Sequence, residues 1–261
     1  MPISIKGKRI VLTGGARGIG ADSVRYLAGE GADIVSFDVL DDLGAAVAAD
    51  ASAKGAGKVF FEHVDVSDLA EVEAGMKRAV EQLGGLDAVL NIAGIDLSSP
   101  AESISAAHWD RMLAVNMKGV AFPCQAAFPY LRDNGGGSIV NFGSDAGLMA
   151  FPPGGAHYSA AKSGVFGYTR TIAGEWGQYG IRANSLNPAI KTPMYEEHIA
   201  SLTEEELALE NLYYKQNIPL GGQLGDATAD LAPVLAFLVS DASRFITSQI
   251  IGVNGGLLPT R

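Results

Sequence analysis

Residues 9–20 read Arg9-Ile10-Val11-Leu12-Thr13-Gly14-Gly15-Ala16-Arg17-Gly18-Ile19-Gly20: a short apolar run, a glycine-rich turn and the opening of an amphipathic stretch. Ile10-Val11-Leu12 is apolar without alternation, which suits a strand covered on both faces in a parallel sheet. The glycines allow a tight turn, and the helix that follows begins with N–H groups that have no partner inside it. A strand, a glycine turn and a helix in that order open a doubly wound α/β fold.

Outward from this stretch, β-branched runs recur at 32–38, 59–64, 87–92, 138–142, 181–186 and 249–253, and Ala88-Val89-Leu90 repeats the non-alternating pattern. Segments 19–30, 69–83, 106–131 and 156–179 carry apolar residues at helical spacing with few breakers. The predicted architecture is a single Rossmann-type doubly wound parallel sheet of about seven strands, with helices on both faces and one domain over 1–261. Segment 191–222 breaks the alternation and reads as a helical insertion, with Thr203 before Glu204, Glu205 and Glu206 as a helix start. It follows the sixth strand, on the rim where such sheets bind ligands, and is predicted to be a substrate-covering lid; an ordinary surface excursion is the alternative.

Of 261 residues 48% are hydrophobic, enough for a large packed core. No apolar window of about 18 residues occurs, and the start, Met1 to Arg9, lacks the apolar core of a secretory signal. A soluble, cytoplasmic protein with no membrane partner is expected. The net charge of −10 would repel a phosphate backbone, so no nucleic-acid partner is expected either. The single cysteine, Cys124, cannot form an internal disulfide, and Phe122, Pro123 and Gln125 beside it offer no metal ligand; it reads as a small buried apolar residue. His63, His108, His157 and His198 show no ligand spacing, and no metal is expected.

The glycine turn lets a backbone approach a pyrophosphate while the helix start attracts its charge, with Gly14, Arg17, Gly18, Ile19 and Gly20 forming the cradle. By itself such a turn is weak evidence, because the spacing is not G-x-G-x-x-G. Asp38, 18 residues past Gly20 at the end of the second strand, strengthens it by standing where a ribose-binding acid belongs. Its charge would repel a 2′-phosphate, and Val39, Leu40, Asp41 and Asp42 supply no cation to offset that, so NAD is favoured over NADP. Arg17 is the dissenting residue. Asp65-Val66, ending the third strand, could contact an adenine from the same rim, although aspartate is also common in plain turns.

Tyr158 and Lys162 are four apart in a helical stretch and share a face, while Ser144 sits just past the fifth strand. A phenol with a pKa of about 10 is a poor base at neutral pH. A nearby ammonium and a cationic oxidised nicotinamide both favour the phenolate, so the Tyr158 pKa is expected to fall toward the working range. Tyr158 would then act as general base in oxidation and general acid in reduction, with Lys162 lowering its pKa and Ser144 holding the substrate oxygen.

These residues resemble the short-chain dehydrogenase/reductase family over essentially the whole chain. The T-G-x-x-x-G-x-G turn is Thr13 to Gly20, Asp65-Val66 matches the adenine-contacting pair, Asn91-Ile92-Ala93-Gly94 resembles N-N-A-G, and Asn116, Ser144, Tyr158 and Lys162 match the tetrad. The resemblance implies that Asn91, Ala93 and Gly94 approach the cofactor, that Asn116 supports a water-mediated proton path through Lys162, and that Pro188, Ile190 and Thr192 line the nicotinamide side. It also implies a homotetramer or homodimer formed through helices 106–131 and 156–179, which carry apolar residues on more than one face. Three departures stand out. Ile92 replaces a second asparagine, Ala189 replaces a glycine after Pro188, and Ser144 and Tyr158 are 14 apart, one more than usual, with Pro152-Pro153-Gly154-Gly155 absorbing the difference.

Ile95, Ala146, Met149, Phe151, Met194 and Tyr195 are predicted to face a small-molecule substrate, Ser144 holding its oxygen, and the set suggests an apolar or cyclic secondary alcohol or ketone. Asp96 and Asp145 are polar exceptions that could bind a second hydroxyl, with solvent exposure the plainer account. Two rival functions are a reductase of carrier-bound 3-oxoacyl chains, opposed by Asp38 and the net acidity, and a non-catalytic NAD-sensing or scaffold protein, opposed by the tetrad.

Overall fold

The computed structural model describes residues 3–150 and 154–259. Seven strands form one parallel sheet: β1 (Arg9–Thr13), β2 (Asp33–Asp38), β3 (Val59–His63), β4 (Ala88–Asn91), β5 (Gly137–Phe142), β6 (Ile181–Pro188) and β7 (Ile250–Val253). Their order across the sheet is β3-β2-β1-β4-β5-β6-β7. The order reverses between β1 and β4, which pair with Ile10 opposite Ala88 and Thr13 opposite Asn91. Beyond the carboxyl ends of two such strands the following loops part in opposite directions and leave a crevice.

The helices are α1 (Gly18–Gly29), α2 (Asp41–Lys54), α3 (Leu69–Leu83), α4 (Ala106–Leu113), α5 (Gly119–Asp133), α6 (Ala156–Trp176), α7 (Pro193–Ser201), α8 (Glu204–Asn217) and α9 (Ala232–Val239). Even a wholly apolar strand splits its side chains between two faces. Ile10 and Leu12 of β1 join Val24 and Leu27 of α1, Val47 of α2 and Leu235 of α9 in one core layer. Val11, on the other face, joins Met76 of α3, Leu131 of α5 and Ile172 of α6. The rigid platform beneath the crevice is therefore buried on both sides.

One expected element differs. The stretch 106–131 is not one helix: Ala114–Lys118 form a π-turn, in which the Gly119 N–H reaches back five residues to Ala114 O. That wider turn carries Asn116, and π-turns of this kind often mark functional positions. Segment 191–222 holds two helices, and α8 starts on a capping box in which the Thr203 hydroxyl accepts from Glu206 N while the Glu206 carboxylate accepts from Thr203 N. Among the described residues no helix is long and apolar enough to cross a membrane.

Candidate active site

A cleft of about 520 Å³ opens at the carboxyl rim of the sheet, from Asp38 and Asp65 at one end, past Gly14–Gly20, to Ser144, Tyr158 and Lys162 at the other. Gly14 adopts φ +77°, and a Cβ there would lie 2.7 Å from the Ala93 backbone. A Cβ on Gly20 would drive into the Gly14 carbonyl oxygen. Side chains at either position would force the turn off β4 or off α1. At the N-terminus of α1, Arg17 is the cap residue but its side chain makes no capping hydrogen bond, and the first turn has no acid. The orphan N–H groups of that turn border the cleft at Gly18, Ile19 and Gly20.

Asp38 ties the turn to β2: one carboxylate oxygen accepts from Ala16 N (3.0 Å), the other from Val39 N (2.8 Å) and Leu40 N (3.2 Å). That leaves one lone-pair direction, on the oxygen that Ala16 N engages, and Asp38 borders the cleft. The Asp65 carboxylate accepts from both the N–H and the hydroxyl of Ser67. Burial opposes its ionisation, but the Ser67 donors and the Arg111 guanidinium at 3.8 Å hold its pKa below the usual carboxylate range. Arg111 and Val115, one turn apart in sequence, also border this end and were not singled out from the sequence. Their spacing just before Asn116 was the available signal.

At the opposite end, Tyr158 and Ser144 share a side-chain hydrogen bond. Ser144 is held in extended conformation as the cap of the 145–147 turn, its oxygen accepting from Ala146 N. Lys162 is buried; its Nζ donates to Phe142 O at 2.9 Å and stands 5.7 Å from the centroid of the Tyr158 ring. Asn116 is fully buried and clasps the Ile95 backbone, its Nδ2 donating to Ile95 O (2.8 Å) and its Oδ1 accepting from Ile95 N (3.1 Å). Val66, Ala93, Gly94, Ile95, Pro188, Ile190 and Thr192 line the same cleft.

Burial sets the direction of the shift at both ionisable groups. Burial, partly offset by the Ser144 bond and reinforced by the Asp96 charge, pushes the Tyr158 pKa up rather than down. Burial also pushes the Lys162 ammonium down to about 8. A low-dielectric pocket disfavours both charged forms at once.

Five further expectations are corrected. Asn91 does not border the cleft: it faces Asn141 across the β4–β5 register and donates to Asn141 Oδ1 (2.8 Å) and Cys124 Sγ (3.2 Å) inside the sheet. Ala146 is buried in the 145–147 turn away from the cleft, and Met149 is exposed outside it. Tyr195 packs against α8, its ring 6.0 Å from that of Tyr214, and does not line the cleft. Asp145 is not solvent-exposed: its carboxylate accepts from Asn254 (2.8 Å) and Asn187 (3.4 Å), bracing the Ser144 turn against the ends of β6 and β7. Phe151, Pro152 and Pro153 lie outside the described residues, as does the Met194 side chain. Of the insertion, Thr192 and Pro193 reach the cleft.

Unpaired helix-start N–H groups suit a pyrophosphate, a carboxylate with a lone pair to spare suits a ribose hydroxyl, and the far end offers a hydroxyl, a phenol and an amine. By fold and donor set the chain is a dinucleotide-dependent oxidoreductase in class. A family model described as enoyl-(acyl carrier protein) reductase matches residues 14–258. Levodione reductase from Leifsonia aquatica is 35% identical over 250 residues, covering 95% of this chain and 92% of that protein. Trans-4-hydroxycyclohexanecarboxylate dehydrogenase from Sinomonas cyclohexanicum is 36% identical over 255 residues, with 95% and 92% covered. The crystal structure of levodione reductase superposes with a TM-score of 0.89 at 33% identity, over 97% of this chain and 98% of that one. The chain belongs to the short-chain dehydrogenase/reductase family, whose members act on alcohols and ketones with nicotinamide cofactors.

Proposed function

We propose that this chain is an NAD-dependent dehydrogenase that interconverts an apolar or cyclic secondary alcohol and its ketone. The observation that carries the reading is the convergence of Ser144, Tyr158 and Lys162 at one end of a cleft whose other end is bordered by Asp38. Trans-4-hydroxycyclohexanecarboxylate, the substrate in one relative's name, is itself a cyclic secondary alcohol. NAD rather than NADP follows from Asp38, whose carboxylate would repel a 2′-phosphate, and from the exposed apolar Val39 and Leu40 beside it.

The bound nicotinamide would supply the hydride acceptor in oxidation and the donor in reduction. Ser144 holds the substrate oxygen. In oxidation the Tyr158 phenolate would take the alcohol proton, and in reduction the phenol would return a proton to the ketone oxygen. Lys162 stabilises the phenolate in its protonated form, and Asn116 holds the 94–96 wall in place through Ile95. A homotetramer of a single-domain cytoplasmic enzyme, with the insertion over the substrate, completes the reading.

The second reading is reduction of carrier-bound acyl chains, favoured by the description of the matching family model. Net charge −10 and Asp38 oppose docking of an acidic carrier and use of NADP. One experiment tests both: oxidation of a panel of cyclic, aromatic, steroidal and polyol alcohols with NAD and NADP, beside 3-oxoacyl thioester reduction. Tyr158→Phe is expected to lose about 10²–10⁴-fold in turnover while still binding NADH by fluorescence. Retained turnover in that variant, or thioester reduction with NADPH outrunning NADH-linked alcohol chemistry, overturns the proposal.

A further inference from the structure

Acids around the cleft are mostly committed to the protein. Asp38 accepts three backbone N–H groups, Asp65 is engaged by Ser67 and Arg111, and Asp145 is buried against Asn187 and Asn254. Asp96 differs. It borders the same cleft as Ser144 and Tyr158, is exposed there, and among the described residues has neither an ion pair nor a hydrogen bond. The cleft it borders is also lined by the apolar Ile92, Ile95, Phe142, Pro188 and Ile190. A few polar groups set among apolar surfaces are what orient a ligand in such pockets.

We propose that Asp96 is a specificity-determining residue that accepts a hydrogen bond from a second hydroxyl of the substrate, selecting diols and hydroxyketones over simple alcohols and turning carboxylates away. The inference rests on the assignment of Tyr158 as the proton-transfer group and names the substrate class for that site. Its logic is electrostatic. The Asp96 charge raises the Tyr158 pKa and so works against the base form of the phenol. A hydroxyl donated to Asp96 spreads that charge, so a substrate bearing one both gains a charge-assisted hydrogen bond and relieves the phenolate. A carboxylate at that place would instead meet like charge.

The test compares kcat/KM for cyclohexanol, trans-1,2-cyclohexanediol, 1,3-cyclohexanediol and 3-hydroxycyclohexanecarboxylate in the wild-type chain, Asp96→Ala and Asp96→Asn. The wild type is expected to favour at least one diol over cyclohexanol by about tenfold or more. In Asp96→Ala that ratio falls to within about twofold, whereas Asp96→Asn, whose amide oxygen still accepts, keeps part of it and gains on the carboxylate. Removing the charge also moves the acid limb of cyclohexanol oxidation to lower pH in Asp96→Asn, a shift that a merely structural role would not produce. Cyclohexanol turnover without a diol preference, or a diol ratio unmoved in Asp96→Ala, overturns the inference and leaves the dehydrogenase reading intact. No turnover of any of the four with NAD or NADP overturns the dehydrogenase reading and the inference with it.

Discussion

Lys162 shows how a residue's identity and its surroundings part company. Its four-residue spacing from Tyr158 was legible, and so was the pairing of an amine with a phenol. The direction of the shifts was not, because it depends on how many apolar atoms close around both groups, and those come from β5, the 114–118 turn and the rest of α6. The consequence is measurable. With a folded pKa of about 8 against an unfolded value of 10.5, the folded chain lacks a proton that the unfolded chain holds between those pH values. Stability from this residue therefore rises from pH 8 toward 10.5, by at most ~3 kcal/mol, and the buried ammonium is a cost below pH 8. Lys162→Met is expected to be more stable than wild type at pH 7 and to lose that upward slope; parallel urea midpoints from pH 7 to 9.5 would contradict this. At the other end of the cleft, Asp38→Ser is expected to weaken NADH binding about tenfold and narrow the preference over NADPH. Fluorescence titration with both cofactors reads it, and an unchanged ratio would remove the ribose role.

Elements were legible where their periodicity was strong. α3 follows the predicted 69–83, and β1 the predicted 9–13, because each has a single decisive pattern and clear ends. α2 and α9 were not singled out: α2 is an alanine-rich helix with little contrast between faces, and α9 is apolar nearly all round. A helix of either kind shows no stripe to read, and only the neighbour it packs on distinguishes one face from another. The 114–118 π-turn was illegible for a different reason, since its extra residue is a matter of which carbonyl Gly119 reaches rather than of residue type. The start of α8 was legible from Thr203 and its following acids, and the capping box there makes a prediction. Thr203→Ala is expected to cost about 1 kcal/mol of local stability in α8. Amide exchange over 203–217 should quicken by about fivefold with the sheet unaffected, whereas exchange spread evenly over the molecule would mean that α8 does not open on its own.

Across the whole molecule, the helices expected to mediate assembly bury more than their sequence suggested. Phe122, Phe128, Tyr168 and Trp176 pack partly into the core, and among the described residues of 106–131 and 156–179 only Tyr179 is a large exposed apolar side chain. Larger apolar exposure lies on Leu209 and Leu220 within 191–222 and on Phe245, which is 99% exposed beside the outer strand β7. Exposed apolar side chains next to an edge strand are places where copies of a chain meet. Sedimentation at micromolar concentration is expected to show a tetramer, and Phe245→Glu to shift it toward smaller species; a wild-type monomer would remove the assembly.

The sequence by itself determined the doubly wound class, the strand–turn–helix at residues 9–20, and the residue types along the cleft, because these follow from local periodicity and from the few side chains able to do a given chemistry. The tertiary structure alone decided that Asn91 and Asp145 serve the framework, that Asp96 stands unpaired beside Tyr158, and that burial moves the phenol and the amine away from ionisation. Those outcomes depend on what lies across the sheet or cleft from a residue, and pairing and desolvation are set by neighbours tens of positions away in the chain.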